Sequence, residues 1–304
     1  MGHVVQRRQP DPPSVDELAT RLQEAEAVLG LAGDPYTEEV FAAAPRLRVV
    51  ALASAGYDSV NLAAARAHGV VVTSAPGVLS EAVADTAFGL ILGARRRLVE
   101  ADRYVRSGRW TASELTLMVG PDVHGTTLGL VGYGSIARAV ARRAWGFDMS
   151  VQFFDPYAAA DANARPVSWD GLLATSDIVS LHCPLTAHTR GIIDEAALRQ
   201  MKPTATLVNT ARGALIDEAA LIQALREGWI ASAGLDVQAH EPNPDAASEL
   251  YSLANVVVLP HIGSASRSAR LAMTDVAVRN IEAVLGGQPA LTPIPDPTSN
   301  PSLK

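Results

Sequence analysis

Thr127-Leu128-Gly129-Leu130-Val131-Gly132-Tyr133-Gly134-Ser135-Ile136-Ala137 is the stretch whose reading decides the fold. Its apolar, β-prone opening predicts a strand over 127–131, and a helix is expected over 136–144, beyond a glycine turn. The turn reads G-x-G-x-x-A. Gly132 permits a tight turn, Gly134 lets the backbone approach a pyrophosphate, and the small Ala137 lets helix and strand pack closely. The N-terminus of the helix, with Ser135 and Ile136, then presents unpaired N–H groups and the positive end of its dipole to phosphates. Alone, such a motif is also an ordinary strand–helix turn that needs small residues. Asp155 changes the weighing. It stands 21 residues after Gly134, at the end of the next expected strand, 151–154. A carboxylate there accepts the hydroxyls of an adenine ribose. It would repel a 2′-phosphate, since two like charges about 4 Å apart cost about 4 kcal/mol at an effective dielectric near 20. Residues 156–160 hold no Arg or Lys to offset this. The pattern implies a dinucleotide site that favours NAD over NADP.

Working outward, strands are expected at 27–31, 47–53, 177–181, 206–209, 230–235 and 256–259, and helices at 15–27, 36–44, 80–97, 217–226 and 265–285. Ser14 followed by Glu17 forms a plausible capping box for the first helix. The alternation argues for parallel α/β sheets. Residues 80–97 are apolar nearly all round, which marks a helix buried in a core or a subunit interface.

At 304 residues the chain is too long for one ordinary core, and two domains are expected. The net charge of −7 and the lack of a basic stripe speak against nucleic acid as a partner. No charge-free apolar run reaches the length of a membrane span. Residues 1–13 carry Arg and Pro but no apolar core of a secretory signal, so a cytoplasmic protein is the default. The single cysteine, Cys183, fits a reducing compartment, and no Cys/His cluster has metal-ligand spacing.

Three ionisable residues sit just beyond three expected strands: Arg212, Glu241 and His261. In an open parallel sheet, ligands bind outside the carboxyl ends of the strands. Hydride transfer to a ketone leaves an alkoxide that needs a proton, and histidine is the natural donor. A carboxylate beside it favours the imidazolium. An arginine clamps a substrate carboxylate by paired hydrogen bonds. By residue type alone, each could equally be a loop or surface group.

The local strings decide. Asn209-Thr210-Ala211-Arg212-Gly213, Gly234-Leu235-Asp236-Val237 with Glu241-Pro242, Pro260-His261-Ile262-Gly263-Ser264, and Leu181-His182-Cys183-Pro184-Leu185-Thr186 resemble, in order and spacing, the D-isomer-specific 2-hydroxyacid dehydrogenase family. Ser54-Ala55-Gly56-Tyr57-Asp58, Pro76-Gly77-Val78-Leu79 and Gly108-Arg109-Trp110 are closest to its glyoxylate/hydroxypyruvate reductase branch, whose strings 2-ketogluconate reductases share. Glu241, where formate dehydrogenases carry glutamine, argues against formate oxidation.

The resemblance implies an α/β fold of two Rossmann-like parallel-sheet domains, one flavodoxin-like and one NAD-binding, with the active site in the cleft between them. The substrate domain would comprise residues 1–91 and 266–304, and the NAD-binding domain residues 92–265. NADH would reduce a small 2-keto acid to its 2-hydroxy acid. His261 would be the acid/base, Glu241 its orienting partner and Arg212 a substrate ligand, with Ala55, Gly56 and Leu79 also on the substrate. Gly132, Gly134, Ser135, Ile136 and Asp155 would line the cofactor, joined by His182, Cys183, Pro184 and Thr189. Thr210, Ala211, Asp236, His261 and Gly263 would lie toward the nicotinamide. A homodimer through residues 80–110 is also implied. Two departures stand out. This branch often has Arg where Ser135 stands, which implies either weaker cofactor binding or phosphate contacts made by backbone amides. Only residues 1–6 could supply the strand with which the family opens. Related corepressors keep the same three residues without catalysis, so a non-catalytic NAD-sensing protein is the alternative.

Overall fold

A computed structural model of the chain describes residues 13–159, 161–243 and 248–295. The strand considered at residues 1–6 lies outside them. Residues 13–79 and 267–295 form one compact unit, and residues from Ser80 to Ser266 form the other.

The first unit opens with α1 (Val15–Leu22), whose capping box is formed: Glu17 N–H donates to Ser14 Oγ at 3.2 Å and Ser14 N–H to the Glu17 carboxylate at 2.9 Å. It continues through β1 (Ala27–Gly30), α2 (Glu38–Ala42), β2 (Val49–Leu52), α3 (Leu62–Ala67) and β3 (Val71–Thr73). The strands make a parallel sheet in the order β1-β2-β3. β2 is central and buried along its whole length, over a core that includes Leu18, Phe41 and Leu52. Gly30 must be glycine, because a Cβ there would stand 2.2 Å from Tyr36 Oη. α3 and β3 go beyond the elements expected from the sequence. Asn61 caps α3 through Ala64 N–H at 3.0 Å, and three residues are too few for β3 to show a strand's alternation.

The second unit runs α4 (Ser80–Arg95), α5 (Leu98–Arg106), β4 (Thr127–Val131), α6 (Ser135–Ala144), β5 (Ser150–Phe154), β6 (Arg165–Pro166), α7 (Trp169–Thr175), β7 (Ile178–Leu181), α8 (Glu195–Gln200), β8 (Thr206–Asn209), α9 (Glu218–Glu227), β9 (Ser232–Leu235), α10 (Glu249–Ser252) and β10 (Val256–Val258). The final helix, α11 (Arg267–Leu285), belongs to the first unit. All pairings are parallel, in the order β10-β9-β8-β7-β4-β5-β6. The chain runs outward from β4 through β5 and β6, then returns to β7 beside β4. The topological switch point therefore lies between β4 and β7, the crevice where open α/β sheets bind ligands. Successive strand residues feed opposite cores. Ile178 and Val208 join Leu90, Ile91 and Val140, while Val179 and Leu207 join Leu172, Leu198 and Leu221. This double burial is why the strands read as apolar runs rather than alternating ones.

The helix expected over 80–97 ends at Arg95, because Arg97 turns into the left-handed region (φ 53°) and begins α5. α4 packs on the second unit's sheet so closely that a Cβ on Gly234 would meet Leu90 Cβ at 2.9 Å. The division expected after residue 91 therefore falls inside α4, and the compact units part at Leu79 and Ser80.

Arg95 closes α4 with a guanidinium that is 3% exposed. It donates to the carbonyls of Asp122 and Asp177, both at 2.7 Å, and to that of Thr204 at 3.3 Å. Burial pulls its pKa below the usual arginine value, opposed by the charges of Asp177 and Asp122. Asp177 accepts Thr127 N–H at 2.9 Å and Lys202 Nζ at 2.8 Å. These bonds tie the amino ends of β4, β7 and β8 together. Arg95→Met would strand buried carbonyl acceptors, and about 2–4 kcal/mol of stability should be lost; urea denaturation of the full chain, followed by circular dichroism, measures it.

Candidate functional site

In-register pairing puts Phe154, Val131, Leu181, Asn209 and Leu235 in one row across β5, β4, β7, β8 and β9. The next residues along the chain are Asp155, Gly132, His182, Thr210 and Asp236. Five candidate residues, from segments far apart in the chain, thus leave the sheet at the same edge.

Gly132 adopts φ 85°, and a Cβ there would lie 2.7 Å from Cys183 N, so the turn admits only glycine. Gly134 is the N-cap of α6; no side chain caps that helix, and nothing lies within 4 Å of where a Cβ of Gly134 would be. Open space in front of uncapped N–H groups suits a pyrophosphate. Asp155 is held by three backbone donors: Tyr133 N–H at 2.8 Å to Oδ2, with Tyr157 and Ala158 at 2.9 and 3.1 Å to Oδ1. The Ser135 hydroxyl accepts from Ser80 Oγ at 2.9 Å. Thr210 Oγ1 is buried without a hydrogen-bond partner among the described residues, and a buried hydroxyl of this kind calls for a ligand. These features fit a nicotinamide dinucleotide. Thr189 is engaged locally: its hydroxyl donates to the Pro184 carbonyl at 2.7 Å and accepts Thr186 N–H at 2.8 Å. Ile136 and Ala211 are half-buried, and Pro184 is exposed.

Cys183 and His182 carry no nucleophile signature. Burial pushes the Cys183 thiol up to about 11 and His182 down to about 4, so both are neutral near pH 7. His182 Nε2 is 2.9 Å from Ser180 Oγ.

His261 and Glu241, expected to pair, are brought together. His261 Nδ1 lies 2.6 Å from Glu241 Oε2. An ionised carboxylate only accepts, so Nδ1 carries the proton and Nε2 is the ring atom left for other chemistry. His261 has φ 54°, a left-handed backbone that a non-glycine residue adopts at a cost. Asp236, 1% exposed, holds it there. Its carbonyl accepts His261 N–H at 2.9 Å, and its two carboxylate oxygens accept Ile262 and Gly263 N–H, each at 2.7 Å. Gly263 is required, since a Cβ would stand 2.8 Å from Asp236 Oδ2.

Arg212 follows β8 in a loop shaped by buried Asn209, whose side chain accepts Ala211 N–H at 2.9 Å and donates to Arg212 O at 2.8 Å. Arg212 Nη1 donates to Ala211 O at 2.7 Å. Beyond it, a Cβ on Gly213 would overlap Gln238 O at 1.8 Å, so the Arg212 and Glu241 loops meet backbone to backbone at Gly213. In the first unit, Ala55 and Gly56 follow β2 in a turn closed by Ser54 Oγ donating to Gly56 O at 2.8 Å. Their own N–H groups donate to no other group among the described residues. Leu79 is buried. Gln238, Ser80 and Tyr251 were not singled out by sequence reasoning; Ser80 meets Ser135 across 55 residues and Tyr251 meets Gln238 across 13, and no local pattern marks them.

Among the described residues no group of three His, Cys, Asp or Glu could hold a metal, and no helix is long and apolar enough to cross a membrane.

The NAD-binding-domain model of the D-isomer specific 2-hydroxyacid dehydrogenases matches residues 88–263. The glyoxylate reductase of Korarchaeum cryptofilum is 47% identical over 282 residues, spanning 91% of this chain and 85% of that one. A crystal structure of a protein from Thermus thermophilus superposes with a TM-score of 0.88 at 44% identity, over 92% of this chain and 89% of that one. The NADPH-dependent glyoxylate/hydroxypyruvate reductase of Sinorhizobium meliloti, in complex with NADP and malonate, superposes at 0.82 with 35% identity, over 92% and 87% of the two chains. With its coenzyme motif, its parallel sheets and these relatives in agreement, the chain belongs to the D-isomer-specific 2-hydroxyacid dehydrogenase family.

Proposed function

We propose that the chain reduces a small 2-oxo acid, glyoxylate or hydroxypyruvate, with NADH to the corresponding 2-hydroxy acid, the D-isomer where the product is chiral. The observation that carries this reading is the 2.6 Å pairing of His261 with Glu241 on a loop that Asp236 locks. The reduced dinucleotide supplies the hydride when bound. His261 holds the proton at Nε2 for the oxygen that becomes the alcohol, and Glu241 fixes the ring's tautomer and orientation. Arg212 orients the keto acid through its guanidinium. The Ala55 and Gly56 N–H groups, and Leu79, are assigned to the substrate's carboxylate end. Thr210, Ala211 and Asp236 are assigned to the nicotinamide end of the cofactor. Two of the named relatives, from Korarchaeum cryptofilum and Sinorhizobium meliloti, are reductases, which does not favour a non-catalytic NAD sensor.

NADH oxidation followed by absorbance, with glyoxylate, hydroxypyruvate, pyruvate and 2-ketogluconate in parallel, tests the reading. Turnover with glyoxylate or hydroxypyruvate is expected, and His261→Ala should lower it by about 10²–10⁴-fold. Tight NADH binding with no turnover of any keto acid would sink the proposal.

The preference for NADH rests on Asp155. Asp155→Asn removes the charge but keeps an acceptor, so the ratio of kcat/KM for NADPH over NADH should rise at least about tenfold. An unchanged ratio would place the discrimination elsewhere.

We further infer a homodimer. α4 buries most of its apolar residues within its own unit, whereas α5 has no buried residue. From α5 onward an apolar surface is exposed: Leu98 53%, Val105 52%, Trp110 57%, Leu115 99% and Val119 65%. Surface of this kind marks an association site. Sedimentation should give twice the chain mass, and the Val105→Glu/Leu115→Asp double variant should sediment as a monomer.

A further inference from the structure

We propose that Gln238 and Tyr251 are positioning residues that hold the Glu241 carboxylate against His261; this rests on the reading of His261 as proton donor given above. Glu241 stands in residues 236–243, which form neither helix nor strand. Something other than a backbone ladder must therefore fix its carboxylate. Oε2 faces His261 Nδ1, and Oε1 accepts Gln238 N–H at 2.6 Å. The main chain of Gln238 is thus the reference point of the pair.

Two contacts set that reference. On one side the Gln238 carbonyl lies against Gly213, with no room for a side chain between them. On the other, the Gln238 side-chain carbonyl accepts the Tyr251 hydroxyl. Tyr251 stands on α10, and its ring packs against the core formed by Leu172, Leu198 and Leu221. An aromatic lever of two rotatable bonds thus connects a packed core to a loop with little structure of its own. A further tie, Ala239 N–H to the exposed Glu218 carboxylate at 3.3 Å, is long and open to water. Gln238 and Tyr251 are both neutral, so their bond acts on the geometry of the pair and adds no charge beside it. Proton transfer is steep in distance, and displacements of about 1 Å cost up to about 10²-fold in rate. A bond that holds the carboxylate in place is worth a measurable part of that.

The test uses the full chain with Tyr251→Phe, Gln238→Met and the double variant, neither substitution adding charge or much volume. With NADH and the keto acid that the wild type reduces, kcat should fall about tenfold in each single variant. KM and the NADH dissociation constant, read by fluorescence titration, should stay within about twofold. The double variant should lose no more than either single one, because both break the same bond. Unchanged kcat, or losses that multiply, would overturn the proposal. An independent reading needs no turnover. The carbon-bound ring protons of His261, identified by NMR from their absence in His261→Ala, should shift alike in Tyr251→Phe and Gln238→Met. Ring signals identical to wild type would overturn the positioning role, whereas a wild type that reduces no keto acid would overturn the proposed function alone.

Discussion

Arg95 carries a full positive charge into a site that is 3% exposed, and its closest partners there are main-chain oxygens ahead of three different strands. A parallel sheet has no hairpins to set its register. Here the amino ends are gathered around one guanidinium and the Asp177–Lys202 pair. Once those ends are fixed, strands of four and five residues bring their other ends into one row, because each rises by the same amount per residue. The alignment of Gly132, His182 and Thr210 at the carboxyl edge follows from a charge buried at the opposite edge, and in-register pairing brings Asp155 and Asp236 into the same row. The helices then have only to cover the two faces.

At that edge the two carboxylates near His261 do different work, and burial decides which. Asp236 is sealed in and gives both oxygens to backbone amides, so it fixes a chain path that includes a left-handed histidine. Glu241 stands on an irregular loop with one oxygen on a backbone amide and the other on the ring. A buried carboxylate with an amide on each oxygen is fixed in place and cannot turn to an imidazole, and one that must face an imidazole cannot also brace the loop beneath it. Separating the two duties lets the ring be rigidly placed while its partner stays partly exposed on the irregular loop.

Much of this was legible in the sequence. The glycine turn, the aspartate one strand later, and charged residues just past successive strands are local patterns with local physical reasons. The helix start at Ser14 and the strand bounds at 127–131 and 206–209 followed from capping and strand chemistry. What stayed hidden depends on contacts between distant segments. The division of the units after Leu79 is set by the packing of α4 on β9, which a run of apolar residues does not reveal. The break at Arg97 is a backbone conformation without a glycine to announce it. Ser135, read as a departure that left either weaker binding or backbone amides to serve the phosphates, shares a hydrogen bond with Ser80, 55 residues away.

The nucleotide edge shows how a motif residue can mean something narrower than its reputation. Asp155 already accepts three backbone N–H groups, two of them on Oδ1. With about two lone pairs on each oxygen, one position on Oδ2 is left for a ribose hydroxyl. Under the proposed NAD preference, therefore, selectivity rests on the sign of the charge at Asp155 more than on the number of hydrogen bonds it can offer. The nearest cation on α6 does not counter that charge. Arg138 lies over the Tyr133 ring at 4.3 Å, pairs with Asp161 and donates to the Ala159 carbonyl at 3.0 Å. A guanidinium stacked on a ring and paired with a carboxylate has its charge engaged there, so the local balance near Asp155 stays negative.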